Sequence, residues 1–274
     1  MFKVIGKEKL AQDTYALKIV APDIAQHASA GQFVMVRIND HGERIPLTIG
    51  DFDKKTITLV FLVVGKTTAE LSALRKNAFI QDVAGPFGNP SNIVDKKFVC
   101  LVGGGVGIAA IYPIAKAYAA KGNRVHCILG VRTKKYLFWK DKFEKICEKV
   151  LVTSDDGSTG EKGTVVDGLS NLNKKYKYEL VVAVGPTIMM KFVAKYTHQR
   201  IKTIVSLNTM MVDAIGMCGG CRINYGGEVK FVCVDGPEFD ADKVNFDEIM
   251  NRNSIYQEEE KHICNLNKIK LSKR

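Results

Sequence analysis

The amino-acid sequence predicts a small closed β-barrel followed by an α/β unit with a parallel sheet, and then a small loop-rich C-terminal unit. Three observations carry that reading. Short strand patterns broken by glycine and proline occupy residues 1–94, and strands and helices alternate over 95–203. Over 204–250 hydrophobic periodicity fades while Cys218, Cys221 and Cys233 crowd together. A basic and polar extension over 251–274, suited to contacting a partner, follows.

In the first segment, VIGKEKLAQDTYALKIVAP reads as two strands around a polar turn, and GQFVMVRI, TITLVFLVV and AFIQDVAG supply more, at period two or as apolar runs. Gly31, Pro46, Gly65, Gly85 and Gly88 punctuate them at the spacing of a small barrel. Residues 71–76 suit one short helix. Near residue 95 the pattern changes. Residues 97–102 read as a buried strand feeding a glycine turn and a helix that ends at Gly122, with Pro113 expected to bend it slightly near its start. Strands over 124–131, 149–153 and 179–184 then alternate with helices over 138–147 and 164–172, the grammar of a parallel sheet covered on both faces. The stretch from about 204 to 250 has so little periodic apolar content that its order is expected to come from a bound inorganic centre.

Composition narrows the function. With 274 residues, 46% of them hydrophobic, the chain supports two or three packed units. Forty basic against 29 acidic residues leave a net charge of +11, but the lysines are scattered through many segments, so no nucleic-acid surface is expected. No stretch approaches the roughly 18–20 unbroken apolar residues of a membrane span, and the charged, alternating N-terminal residues read as neither signal peptide nor anchor. Cys100, Cys127 and Cys147 lie inside apolar or helical patterns, which argues against a secreted disulfide framework and fits a reducing cytoplasm.

The cysteine spacing is the sharpest signal. Cys218-x2-Cys221-x11-Cys233 offers three soft ligands in a glycine-rich loop, one short of a tetrahedral zinc or a [2Fe–2S] centre. Asp213 stands five positions before Cys218, so D-x4-C-x2-C reproduces the plant-type [2Fe–2S] spacing with a carboxylate in the first slot. A [2Fe–2S] cluster on Asp213, Cys218, Cys221 and Cys233 is the favoured reading. Structural zinc, unligated cysteines and a thiol–disulfide pair are the alternatives, although no thioredoxin-like context surrounds the cysteines.

Further loops suit phosphates. Gly103-Gly104-Gly105-Val106-Gly107 ends a strand and opens a helix, where backbone N–H groups meet a pyrophosphate. It departs from G-x-G-x-x-G at Ile108, and tight packing is an equal explanation. Gly185-Pro186 ends another strand and would face the same crevice, unless it is a simple helix start. Asp155 and Asp156, leaving a third strand, suit ribose hydroxyls. Arg132, with Lys134 and Lys135, either touches an adenosine phosphate, favouring NADP, or forms a solvated basic face. In the first segment, Arg44 suits a flavin pyrophosphate, Thr48 suits the flavin ring N5 and O4, and Gly65-Lys66-Thr67-Thr68 is a second anion-binding candidate.

Taken in this order, ERIPLTI (43–49), GKTTAEL (65–71), AGPFGNP (84–90), VGGGVGIAAIYPIAKA (102–117), SDDGSTGEKG (154–163), VGP (184–186), MVD with GMCGGCR (211–222) and FVCVDGPEFD (231–240) resemble the ferredoxin–NADP reductase superfamily over about 1–256. The last motifs are the specific ones. They are most similar to the small flavin and iron–sulfur subunit of NADH-dependent reduced ferredoxin:NADP oxidoreductase, also called sulfide dehydrogenase beta subunit, a branch related to the dihydroorotate dehydrogenase electron transfer subunit. The resemblance implies FAD beside Arg44, Pro46, Leu47 and Thr48, with its phosphates at Gly65, Thr67 and Thr68, and Thr48 in the catalytic position. It implies NAD(H), with NADP(H) less favoured, against Gly104, Gly105, Val106, Gly107 and the Gly185-Pro186 turn. Four cysteines are the pattern of the dihydroorotate branch, so Asp213 points to the ferredoxin:NADP branch, from which Ala214-Ile215 departs where Gly-Thr is usual. The resemblance further implies a large glutamate-synthase-like partner with a second FAD and [4Fe–4S] centres, electron bifurcation, and ferredoxin reached through the complex. The rival readings are a dihydroorotate dehydrogenase electron transfer subunit and a non-enzymatic redox-sensing regulatory subunit.

Overall fold

The computed structural model describes residues 1–95 and 97–255. The chain opens with β1 (Phe2–Ala11), β2 (Thr14–Val20), α1 (Pro22–His27), β3 (Phe33–Arg37), β4 (Ile45–Phe52), β5 (Thr56–Leu62), α2 (Lys66–Ala73), β6 (Phe79–Ile80) and β7 (Asp82–Phe87). The strands pair antiparallel in the order β6-β1-β2-β5-β4-β3-β7 and form a near-closed barrel. Period-two alternation fills its inside. Val34 and Val36, Leu47 and Ile49, and Ile57, Leu59 and Phe61 all reach one buried cluster, each worth about 1.5–3 kcal/mol of burial. Helix α2 starts at Lys66, five residues before the helix expected from the sequence, because Thr68 Oγ1 accepts the N–H groups of Val64 and Gly65 at 3.0 Å and closes its first turn.

The second run comprises β8 (Phe98–Gly104), α3 (Gly107–Ala120), β9 (Arg124–Val131), α4 (Lys140–Glu144), β10 (Lys149–Ser154), β11 (Glu161–Lys162), α5 (Val165–Lys175), β12 (Leu180–Val184), α6 (Thr187–Thr197) and β13 (Lys202–Ser206). These strands are parallel in the order β11-β10-β9-β8-β12-β13. Alternate strand residues feed two layers. Val99, Leu101 and Val182 pack with Ile108, Ile111 and Phe143 of α3 and α4, while Cys100, Val102, Val181 and Ala183 pack with Leu169, Met190 and Val193 of α5 and α6. Pro113 is buried within α3, which continues past it to Ala120. The helix expected over 138–147 is shorter at both ends: Trp139 takes a left-handed conformation, φ 57°, just before it, and Lys145 caps it after Glu144.

From β8 the chain builds outward through β9 and β10, then returns to place β12 on the other side of β8. Their carboxyl ends therefore flank a topological switch point, the ordinary place for a ligand crevice.

The remaining elements are β14 (Arg222–Tyr225), β15 (Glu228–Phe231), α7 (Val232–Asp235), β16 (Glu238–Asp240) and α8 (Phe246–Asn253). This segment has more core than its sequence suggests. Ile223, Val232, Phe239, Phe246 and Ile249 join the layer under α5 and α6, and β16 extends the parallel sheet as an antiparallel edge on β13. Its strands are too short for a periodicity to show. The extension over 251–274 lies outside the described residues from 256 onward. Among the described residues no helix is long and apolar enough to cross a membrane.

Candidate functional site

The switch point brings the 103–107 loop against Gly185 and Pro186. A Cβ at Gly104 would lie 2.2 Å from Met189 Sδ and 3.3 Å from Pro186 Cδ, and one at Gly185 would lie 3.0 Å from the Gly104 carbonyl. One at Gly107 would strike the Val184 carbonyl oxygen at 2.2 Å. Packing of protein against protein thus accounts for Gly104, Gly107 and Gly185. Gly105 is different. Its φ is +56°, nothing lies within 4 Å of an added Cβ, and Val106 beside it is exposed. The part of the loop open to a ligand is therefore Gly105 and Val106, at the N-terminus of α3.

Helix α3 packs along β4, the strand that carries the barrel's candidates. Pro46 and Thr48 share one face of β4, while Leu47 is buried in the barrel core with Ile49. The side chain of Leu47 is thus turned away from the face of Pro46 and Thr48. Arg44, just before β4, is exposed and makes no hydrogen bond or ion pair among the described residues. At the start of α2, Gly65 has open space where a Cβ would stand, and the first-turn N–H groups of Lys66, Thr67 and Thr68 have no intrahelical acceptor. Their side chains divide. Lys66 is exposed, Thr68 closes the helix cap, and the buried Thr67 donates to Glu43 Oε2 at 3.2 Å, tying α2 to the segment of Arg44. Glu43 in this role was not singled out from the sequence, because only the fold puts it beside Thr67.

At the outer rim, the ends of β9 and β10 are joined by Asp155 N–H to the Val131 carbonyl and Asp156 N–H to the Arg132 carbonyl. Asp156 Oδ1 accepts from Ser158 N at 2.9 Å and Ser158 Oγ at 2.6 Å, bonds that hold its carboxyl below the usual range. Its carboxylate thus builds the turn. Asp155 and Arg132 are exposed and have no side-chain partner among the described residues.

The cysteine loop winds through left-handed residues Ala214 (φ 61°), Gly216 (φ 84°) and Gly219 (φ 66°). Asp213 folds over it, Oδ1 accepting from Ile215 N at 2.9 Å and Oδ2 from Cys218 N at 2.5 Å, and these N–H groups hold its carboxyl below the ordinary range. Each oxygen keeps a further lone pair. The Sγ atoms of Cys221 and Cys233 are 3.2 Å apart and buried, and Gly220 N–H points at the exposed Cys218 Sγ at 3.4 Å. Burial and the neighbouring Cys221 push the Cys233 thiol up to about 12. Among the described residues no three His, Cys, Asp or Glu side chains converge on one point as a mononuclear metal site requires. A donor set of three thiols and one carboxylate, with backbone N–H groups directed at sulfur, fits an iron–sulfur centre. Two arginines escaped the sequence reading. Arg222 Nη1 donates to the Gly219 carbonyl and Arg252 Nη2, from α8, to the Gly220 carbonyl, each at 3.1 Å.

Residues 101–195 match the family model for the oxidoreductase NAD-binding domain, and residues 208–245 that for the iron–sulfur cluster binding domain of dihydroorotate dehydrogenase B. A Thermotoga maritima protein described as a homolog of the dihydroorotate dehydrogenase B (NAD(+)) electron transfer subunit is 47% identical over 94% of this chain and 93% of its own. The chain belongs to the dihydroorotate dehydrogenase B electron transfer subunit family. A Fusobacterium nucleatum member is 30% identical over 87% of this chain and 95% of its own. Among solved structures, one described for flavin-based electron bifurcation by the NADH-dependent reduced ferredoxin–NADP oxidoreductase superposes with a TM-score of 0.93 at 45% identity over 98% of both chains. Membership makes the chain an electron-transfer subunit with oxidoreductase function, and FAD, NAD(H) and a [2Fe–2S] cluster are the cofactors these matches support.

Proposed function

We propose that this chain is the flavin and iron–sulfur subunit of an electron-bifurcating NADH-dependent ferredoxin:NADP oxidoreductase, working in the cytoplasm. The observation that carries the reading is the structural match along 98% of both chains, supported by an aspartate in the first slot of the cluster spacing. FAD supplies the junction between hydride chemistry and single-electron transfer when bound. Around it, Pro46 and Thr48 line one face of β4, Thr48 offering its hydroxyl and backbone to the flavin ring, while Arg44 and the N-terminus of α2 at Gly65 hold the phosphates. Gly105 and Val106 receive the dinucleotide pyrophosphate against the Gly185-Pro186 turn. Asp155 meets the adenosine ribose and favours NAD(H), with Arg132 on the rim beside it. Asp213, Cys218, Cys221 and Cys233 hold the cluster.

The relatives named as electron transfer subunits work in multi-subunit complexes. Here the partner is a large glutamate-synthase-like subunit carrying a second FAD and [4Fe–4S] centres, through which ferredoxin is reached. Outside the cluster loop the described cysteines are Cys100, Cys127 and Cys147, in or against the sheet core, so the [4Fe–4S] centres belong to the partner. The names of the 47% and 30% identical relatives favour a second reading, in which the partner oxidises dihydroorotate. The complex isolated with its partner decides between them: the first reading requires NADPH-dependent reduction of ferredoxin and NAD, the second dihydroorotate-dependent reduction of NAD. For the cluster, Asp213→Ala loses or degrades it while Asp213→Cys retains it, read by iron, sulfide and the reduced electron paramagnetic spectrum. Full iron with an unchanged spectrum in Asp213→Ala would remove Asp213 from the ligand set.

A further inference from the structure

We infer that Arg252 and Arg222 are positioning residues that set the electron affinity of the cluster by aiming two backbone N–H groups of the cysteine loop at its sulfur atoms. The inference rests on the proposed cluster site at Asp213, Cys218, Cys221 and Cys233.

Only Gly219 and Gly220 separate Cys218 from Cys221. Arg222 Nη1 donates to the Gly219 carbonyl and Arg252 Nη2 to the Gly220 carbonyl, each at 3.1 Å. A trans peptide is planar, with its C=O and N–H pointing in opposite directions. Holding the Gly219 carbonyl therefore directs the N–H of Gly220, and that N–H lies 3.4 Å from Cys218 Sγ. Holding the Gly220 carbonyl directs the N–H of Cys221 away from the guanidinium in the same manner. Two consecutive peptide groups are thus gripped at their oxygen ends by cations, with their hydrogen ends on the opposite side.

The two arginines reach the loop from different places. Arg222 is exposed and follows Cys221 directly in the chain, whereas Arg252 is half-buried on the last turn of α8 and crosses to the loop from 32 residues away. Helix α8 is itself fixed, with Phe246 and Ile249 buried in the core and Asn245 accepting the N–H of Glu248 at its start. Arg252 is therefore held by a rigid element, and the peptide it grips has little freedom to turn. Gly219 itself is left-handed, with φ +66°, a backbone conformation that glycine adopts without strain.

Hydrogen bonds to sulfur and nearby positive charge both stabilise the reduced form of an iron–sulfur centre, which carries one more negative charge. A cation on the carbonyl also polarises its peptide and strengthens the N–H donor at the other end. Both contributions act in one direction, toward a higher potential. Arg252 contributes more than Arg222, since its guanidinium is less exposed to screening by water.

The test is a potentiometric titration of the cluster, followed by electron paramagnetic resonance, in the cofactor-loaded complex. Wild type is compared with Arg252→Gln, Arg252→Lys and Arg222→Gln, with iron, sulfide and the flavin potential measured on each sample. Arg252→Gln is expected to shift the cluster potential to a more negative value with iron, sulfide and flavin potential unchanged. Arg252→Lys recovers part of the shift, because the charge stays while the fork geometry is lost, and Arg222→Gln shows a smaller shift of the same sign. If Arg252→Gln sheds iron, Arg222→Gln and Arg252→Lys carry the decision. Iron-replete variants whose cluster potential matches wild type, or moves positive, would overturn the inference. Absence of iron and sulfide from the wild-type chain would instead defeat the cluster reading on which it rests.

Discussion

The 103–107 loop and the cysteine loop are both glycine-rich, and Gly104 and Gly107 of the first are there for a different reason from Gly219 of the second. At Gly104 and Gly107 the neighbouring strand and helix leave no room for a side chain. At Gly219 only atoms 4.0 Å away surround an added Cβ, and the requirement is the left-handed backbone itself. Gly104 and Gly107 are limited by space, whereas Gly219, like Gly105, is limited by conformation. The difference teaches where each loop gets its order. The first is held by the sheet and α6 whatever it binds, whereas the second is held by the Asp213 carboxylate, the two arginines and, in the proposed site, the group its thiols would ligate.

The largest expected effect breaks the packed loop. Gly107→Ala places a methyl 2.2 Å from the Val184 carbonyl oxygen in a central strand that cannot move aside, and is expected to cost about 3 kcal/mol or more. Chemical denaturation of the apo and loaded protein checks this. A cost below about 1 kcal/mol would mean that the loop is loose and that space does not limit it. Gly105→Ala comes next. It meets no atom but forces an L-residue to φ +56°, so about 1 kcal/mol of stability is expected to be lost, together with weaker NADH binding by titration calorimetry, since Gly105 is the open glycine of that loop.

Smaller still is Gly65→Ala, where neither space nor backbone objects: φ is −146° and no atom lies within 4 Å. Stability is expected to stay within about 0.5 kcal/mol while FAD retention on gel filtration falls, because the methyl occupies the space above the helix N-terminus. Retained FAD would move the phosphates elsewhere. The smallest effect concerns the seam between barrel and sheet, where Ser91 donates to the half-buried Glu238 at 2.5 Å and desolvation pushes that carboxyl up. A raised carboxyl penalises the fold as pH rises through its folded value. Glu238→Gln is therefore expected to leave stability unchanged at acid pH and to increase it slightly at pH 8, measured by thermal melts at both.

Strand and helix order was legible in the sequence because apolar runs in the first two segments are long enough to show their period. Donor roles were less legible. Thr67, Thr68 and Asp156 sit in phosphate- or ribose-binding patterns, yet their side chains are engaged by Glu43, the α2 cap and Ser158. A pattern of residue types does not reveal which hydrogen bonds the protein has already made. The core of the third segment was hidden because it is built from strands of four residues or fewer packed on helices far away in sequence. Arg252 was invisible for the same reason, its acceptor lying 32 residues upstream. The D-x4-C spacing of Asp213 was legible because it is a local property of the chain.

The central claim is that one chain links a dinucleotide, a flavin and a cluster. Anaerobic titration of the purified protein with NADH, followed by absorbance and electron paramagnetic resonance, tests it most directly. The account predicts about two iron and two acid-labile sulfides per chain, bleaching of the flavin band on NADH addition, and a reduced-cluster signal that grows with the same titrant. Stoichiometric zinc without sulfide, or a flavin that bleaches while a fully loaded cluster stays oxidised at every NADH concentration and after addition of dithionite, would contradict it.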